Sequence, residues 1–176
     1  MEEEKFLNAR DFSRVDADIP LDARLLAAEE QTALRSRLAG DMTFTESHDL
    51  PDLDNKLLSD WLKMLNAKLD TVLNMLAFQR QGFYSLPATR VNISGGGMSF
   101  SAKENYKPGN ILELKMLLPL LPPVALYLYG EVVKTQSQPE GPLIFVKFIA
   151  IDEEIRDELV KFVFKRQRDI LREKRR

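Results

Sequence analysis

The sequence predicts an α+β protein: a small antiparallel β-barrel, interrupted after its first strand by a long heptad helix and closed by a C-terminal helix. Three observations predict it. Apolar and polar residues alternate strictly from Val15 to Leu25, a heptad of leucines runs from Leu58 to Leu76, and short β-like runs separated by Gly and Pro fill residues 83–151.

In the first strand Val15, Ala17, Ile19, Leu21, Ala23 and Leu25 alternate with Asp16, Asp18, Pro20, Asp22 and Arg24. That is the period of a half-buried strand, and Pro20 among the outward positions predicts an edge or a bulge. Residues 27–38 (AAEEQTALRSRL) are good helix formers, with Gly40 placed as a stop. A polar connector (40–52) follows, holding the lone His48. A second helix begins near Asp52 or Asp54 and runs to about Arg80. Its Leu58, Leu62, Leu65, Leu69, Val72 and Leu76 recur at alternating steps of four and three residues. At ~1.5 Å per residue it makes a rod of about 40 Å, too long for a small domain to cover.

From Phe83 the pattern becomes β. Phe83–Val91 leads into the turn Asn92-Ile-Ser-Gly-Gly-Gly and then Met98-Ser-Phe; Lys107-Pro-Gly-Asn is a further turn. Strands are expected over Ile111–Leu118, Ala125–Val133 and Leu143–Ile149, with Pro119, Pro122 and Pro123 and later Gln138-Pro-Glu-Gly-Pro between them. Successive short strands with such punctuation argue for an antiparallel sheet or small barrel. Residues 152–176 read as a helix, capped by Asp152 and apolar along Ile155, Leu159, Phe162, Val163, Gln167, Ile170 and Leu171. The organisation is one domain over 1–176, with a helical insert at 26–82, the main strands at 83–151 and the closing helix at 152–176.

Composition narrows the function. The 176 residues are 44% hydrophobic and 30% charged, the signature of a folded globular chain. A net charge of −2 provides no global field for a long nucleic acid. There is no cysteine and only one histidine, which excludes thiolate zinc sites, thiol nucleophiles and multi-histidine metal sites. No run is apolar enough to span a membrane, and the acidic start MEEEKF is unlike a secretory signal, so a cytosolic address is expected. The scattered carboxylates Asp52, Asp54, Glu153, Glu154, Asp157 and Glu158 suit helix faces and caps better than catalysis. With no nucleophile–base pair or metal cluster, an enzyme is not expected, nor any cofactor or bound metal.

Two motifs remain. Three successive glycines after Asn92-Ile-Ser94 form either a tight hairpin or an anion-holding nest of N–H groups, with Asn92 and Ser94 as side-chain donors. It is not a Walker loop, since no Lys-Ser/Thr follows, nor a dinucleotide fingerprint, since a strand comes next. Arg10-Asp-Phe-Ser-Arg14 sets two arginines four apart before the first strand, and guanidinium forks recognise phosphate and the Hoogsteen edge of guanine.

Arg-x-x-x-Arg before a first strand, together with Asn-x-Ser-x-x-Gly after a later one, resembles the PilZ domain, the bacterial receptor for cyclic di-GMP. Phe12-Ser-Arg14-Val15, the run from Asn92 to Phe100 and the Arg-Gln-Arg tail from Phe164 to Arg172 agree with it. The resemblance covers residues 9–25 and 83–172. The insert departs from the ordinary domain and is similar to an atypical branch that assembles as tetramers through long heptad helices, some members of which lack the ligand arginines. This chain keeps both. The resemblance implies a non-enzymatic cyclic di-GMP receptor. Arg10 and Arg14 would grip guanine and phosphate, Asn92 and Ser94 would hydrogen-bond the ligand, and Gly96 and Gly97 would admit the backbone. The alternative is a PilZ-like oligomeric scaffold that binds no nucleotide.

The wide helix face argues for assembly in its own right. Leu57, Trp61, Met64, Met75 and Phe78 flank the seam, which favours a homo-oligomer of four helices over two, the other reading being a helical hairpin folded back on the domain. A downstream partner protein is expected but not specified by the sequence. The basic tail Lys165, Arg166, Arg168, Arg172, Lys174, Arg175 and Arg176 suits either a solvated helix end or contact with an acidic partner, lipid or nucleic acid.

Overall fold

Strand β1 spans Val15–Leu25, as the alternation requires. Val15, Ala17, Ile19 and Leu21 point inward and are buried, while Asp16, Asp18 and Asp22 face solvent. The computed structural model describes residues 12–39 and 53–175. Arg10, Gly40, His48, Asp52 and Arg176 lie outside the described residues.

The other strands are β2 (Arg37–Leu38), β3 (Ala88–Ile93), β4 (Gly97–Ser101), β5 (Ile111–Leu118), β6 (Val124–Gln136) and β7 (Leu143–Ile149). All pairings are antiparallel, and six strands close a barrel in the ring order β1-β3-β4-β7-β6-β5. Two strands turn the corners by changing partner. β1 pairs with β3 through Pro20 and with β5 from Leu21 onward. β6 passes from β5 to β7 with a register shift between Val132 and Lys134. Pro20 therefore lies neither on a free edge nor in a bulge; the residue without an N–H sits where one ladder gives way to the next.

The core is filled from every strand. Ile93, Met98, Leu112, Leu114, Met116, Leu126, Leu128 and Ile144 are almost wholly buried. Helix α2 (Glu153–Glu173) adds Ile155, Leu159, Phe162 and Val163 to the same cluster, and its first turn is capped by Asp152, which accepts from the Ile155 N–H at 3.0 Å. Leu171, expected on that face, is instead exposed beside Phe164 on the outer side of the helix, while its neighbour Ile170 packs against the core.

Residues 27–38 depart from expectation. Only Ala28–Ala33 is helical, as a single 3₁₀ segment, and the chain then joins β6 as β2. Tertiary bonds override the propensity. The Ser36 N–H donates to the Ala150 carbonyl at 3.0 Å, the buried Ser36 hydroxyl receives the Tyr129 N–H at 3.3 Å, and the Arg37 guanidinium lies 4.4 Å from the Tyr127 ring centroid. The described part of the insert thus holds one long helix, α1 (Lys56–Arg80).

α1 starts on Asn55, whose side chain accepts from the Leu58 N–H at 3.1 Å, and stops at Gly82, held at φ 75° in the left-handed region open to glycine. Its C-terminal end is anchored. Phe78 packs edge-on to the buried Phe83, which meets Tyr127 in turn, and Lys115 donates to the Gln81 carbonyl. Away from this root the helix leaves the barrel: Leu58, Leu62, Leu65, Leu69, Val72 and Leu76 are all 43–55% exposed.

Candidate functional site

The register of β1 and β3 sets Asp16, two residues after Arg14, opposite Asn92 of the second motif. Asn92 Nδ2 donates to Asp16 Oδ1 at 2.9 Å, and Arg14, just before β1, donates from Nη1 to Asn92 Oδ1 at 3.4 Å. The two motifs are thereby brought together, with the Arg14 guanidinium exposed above the barrel wall. Gln167 of α2 donates to the Arg14 carbonyl at 3.4 Å.

The glycine turn is built around Ser94. Its N–H and hydroxyl both donate to the Gly97 carbonyl, at 2.9 and 3.1 Å, and the hydroxyl oxygen accepts from the Gly96 N–H at 3.2 Å. Ser94 is buried, so its side chain shapes the turn. Nor does the turn use left-handed torsions; among the described residues only Gly82, Gly109 and Gly141 are glycines with positive φ. Close approach explains Gly97, where a Cβ would lie 2.4 Å from the Val146 carbonyl oxygen of β7. Gly95 and Gly96 seat the ring of Phe12; a Cβ on Gly95 would meet Phe12 and Val160 at 3.0 Å.

Phe12 is the residue that sequence reasoning passed over. Arg156 of α2 donates to the Gly95 carbonyl at 3.2 Å and holds its guanidinium 5.2 Å from the Phe12 ring centroid. Asp16, Arg156 and Gln167 also join the site without having been singled out for it. Phe12 lies inside the arginine motif and the spacing of that motif could have flagged it, but nothing local marks Arg156, which arrives from the far end of the chain. Chemically the surface offers a cation at Arg14, an amide and a carboxylate at Asn92 and Asp16, and a flat aromatic-over-glycine platform. That combination suits a planar, anionic ligand.

Among the described residues no group of three or more His, Asp or Glu could hold a metal ion, and no helix is long and apolar enough to cross a membrane.

The fold has solved counterparts. A Xanthomonas campestris protein described as a new tetrameric PilZ domain self-assembled via an unusual helical bundle superposes with a TM-score of 0.60, at 18% identity over 92% of each chain. The Bacillus subtilis inhibitor of motility superposes with a TM-score of 0.50, at 15% identity, over 91% of this chain and 51% of that one. No curated protein matches the chain in sequence. The family model of the PilZ domain matches residues 73–165, a stretch from the last turns of α1 through the glycine turn and the strands into α2. With more than half of its length matched and its barrel closed in the same fold, the chain belongs to the PilZ domain family.

Proposed function

We propose that the chain is a bacterial, cytoplasmic, non-enzymatic receptor for cyclic di-GMP, in which an arginine arm closes over the nucleotide on the barrel surface. The observation that carries this reading is the Arg14–Asn92 contact, which joins a guanidinium to an amide on a shared wall. Cyclic di-GMP has two phosphate anions and two guanines, and needs forked cations and amide groups of this kind. Arg14 and Arg10 grip guanine edge and phosphate, with Asn92 as the barrel-side hydrogen-bonding group. Ser94, Gly96 and Gly97 act through the shape of the turn. Calorimetric titration with cyclic di-GMP, with GTP as control, tests the reading. Saturable binding that Arg14→Ala weakens tenfold or more supports it; no heat, or equal binding by the variant, overturns it.

A second reading concerns α1 and has its own observation. Six seam positions about half exposed, with Leu57 and Trp61 at 70% and 64%, form an apolar face that one chain alone leaves in water. We infer that α1 assembles copies of the chain through Leu58, Leu62, Leu65, Leu69, Val72 and Leu76, as a tetramer, and the helical bundle named for the Xanthomonas campestris protein supports this. Should no nucleotide bind, the protein is an oligomeric scaffold acting through protein contacts alone.

A further inference from the structure

The distal half of α2 keeps Ile170 against the core and Gln167 on the Arg14 carbonyl, and turns its opposite face to solvent. Phe164 and Leu171 stand 55% and 56% exposed, two turns apart on one face, and Arg168 lies between them. Lys161, Lys165 and Arg172 border the stripe at helical spacing. Lys161 pairs with Glu158 and Lys165 with Asp169, whereas Arg168 and Arg172 have no ion-pair partner among the described residues.

This face continues into a cleft of about 620 Å³ between α2, the root of α1 and the β5–β6 loop. Leu38, Phe78 and Ala125 line its apolar side, Lys165, Arg168 and the Lys161–Glu158 pair its polar side, with a net positive charge, and Leu121 stands at the lip, 97% exposed. Apolar anchors alternate with cations over a concave surface.

We propose that this face of α2 and the adjoining cleft dock an acidic amphipathic segment of a partner protein. Its apolar side chains rest on Phe164, Leu171 and Leu121, and its carboxylates meet Arg168 and the neighbouring cations. Charge complementarity sets the sign of the partner. The recess sets its class, because a flat bilayer cannot follow a groove whose apolar wall includes Phe78. A long polyanion fits less well, since Glu153, Glu154 and Asp157 make the first turns of the same helix negative. The proposal does not depend on nucleotide binding.

The test uses the full chain and a fluorescently labelled synthetic helical peptide with leucines at i, i+4 and i+7 and glutamates on the flanks. A scrambled peptide of the same composition and vesicles of phosphatidylglycerol and phosphatidylcholine are the comparisons. Anisotropy is expected to show saturable binding of the patterned peptide, at least tenfold tighter than the scrambled one. Arg168→Glu, and separately Phe164→Ser with Leu171→Ser, should each weaken it tenfold with the melting temperature unchanged. Equal binding of both peptides, no saturation, binding to vesicles alone, or indifference to Arg168→Glu overturns the proposal. Should the double serine variant fail to fold, the exposed Arg168→Glu decides.

Discussion

The Arg156 guanidinium lies 5.2 Å from the ring centroid of Phe12 while donating to the Gly95 carbonyl at 3.2 Å. One side chain of α2 thus touches both the root of the arginine arm and the glycine turn. Phe12 stands two residues before Arg14, and its ring lies against Gly95, where a Cβ would meet it at 3.0 Å. Gly95 makes room for Phe12, and α2 holds that ring in place.

Loosening this contact should therefore weaken nucleotide binding without unfolding the protein. A cation–π contact and a hydrogen bond at a partly exposed site contribute together about 1–2 kcal/mol. Arg156→Met and Phe12→Ala should each lower cyclic di-GMP affinity roughly five- to thirtyfold. Calorimetry beside a thermal melt checks this: an unchanged affinity would free the arm from α2, and a collapsed melt would make the contact part of the core.

Gly97 offers a sharper test of the turn. A methyl group there would sit 2.4 Å from the Val146 carbonyl oxygen, which is backbone and cannot swing aside. Gly97→Ala should force β4 and β7 apart at a cost of about 1–3 kcal/mol. Denaturant unfolding measures it, and wild-type stability would show that the two strands separate freely here.

How much of this was legible in the sequence depends on where the determinants lie. β1 could be read residue by residue because its burial alternates with its sequence. The start of α2 was equally plain, marked by Asp152, and α1 ends at Arg80 as expected, although it is capped by Asn55 rather than by Asp52 or Asp54. Residues 27–38 misled because their propensity is helical, yet Ser36 and Arg37 bond to β6 and to the end of β7, contacts that no local window contains. The two motifs could be read from the sequence, but the Arg14–Asn92 contact, the use of Ser94 for the turn and the arrival of Arg156 are tertiary facts.

Alkaline pH should destabilise the fold. Tyr106, Tyr127 and Tyr129 all have hydroxyls pushed above the usual phenolic range, chiefly because burial disfavours the phenolate, with Glu113 adding to it at Tyr127 and Tyr129. The unfolded chain releases these protons near its ordinary pKa of about 10, before the folded one does. Their contribution is fully present below that pH and is lost as pH rises through the folded values. Denaturant midpoints should hold up to about pH 9.5 and fall beyond it, with less of a fall in Tyr127→Phe. A flat profile to about pH 11.5, well past the ordinary phenolic pKa of about 10, would mean that these hydroxyls ionise as freely in the folded chain as in the unfolded one.

The exposed seam of α1 sets the last prediction. Burying one leucine contributes about 2 kcal/mol, so six half-exposed seam positions in each chain can outweigh the entropy lost on association. Leu65 and Leu69 sit mid-helix, remote from the root at Phe78 and Phe83, so charges placed there should leave the barrel intact. Leu65→Glu with Leu69→Glu sets unpaired carboxylates inside any bundle and should give monomers. Sedimentation equilibrium should find the wild-type chain at a multiple of its 20.2 kDa mass, four being the expected number, and the variant at that mass. The barrel's melting transition should survive in the variant, lowered by the lost assembly contribution. A wild-type mass near that of one chain at micromolar concentration would overturn the assembly and leave the apolar face of α1 to a different protein.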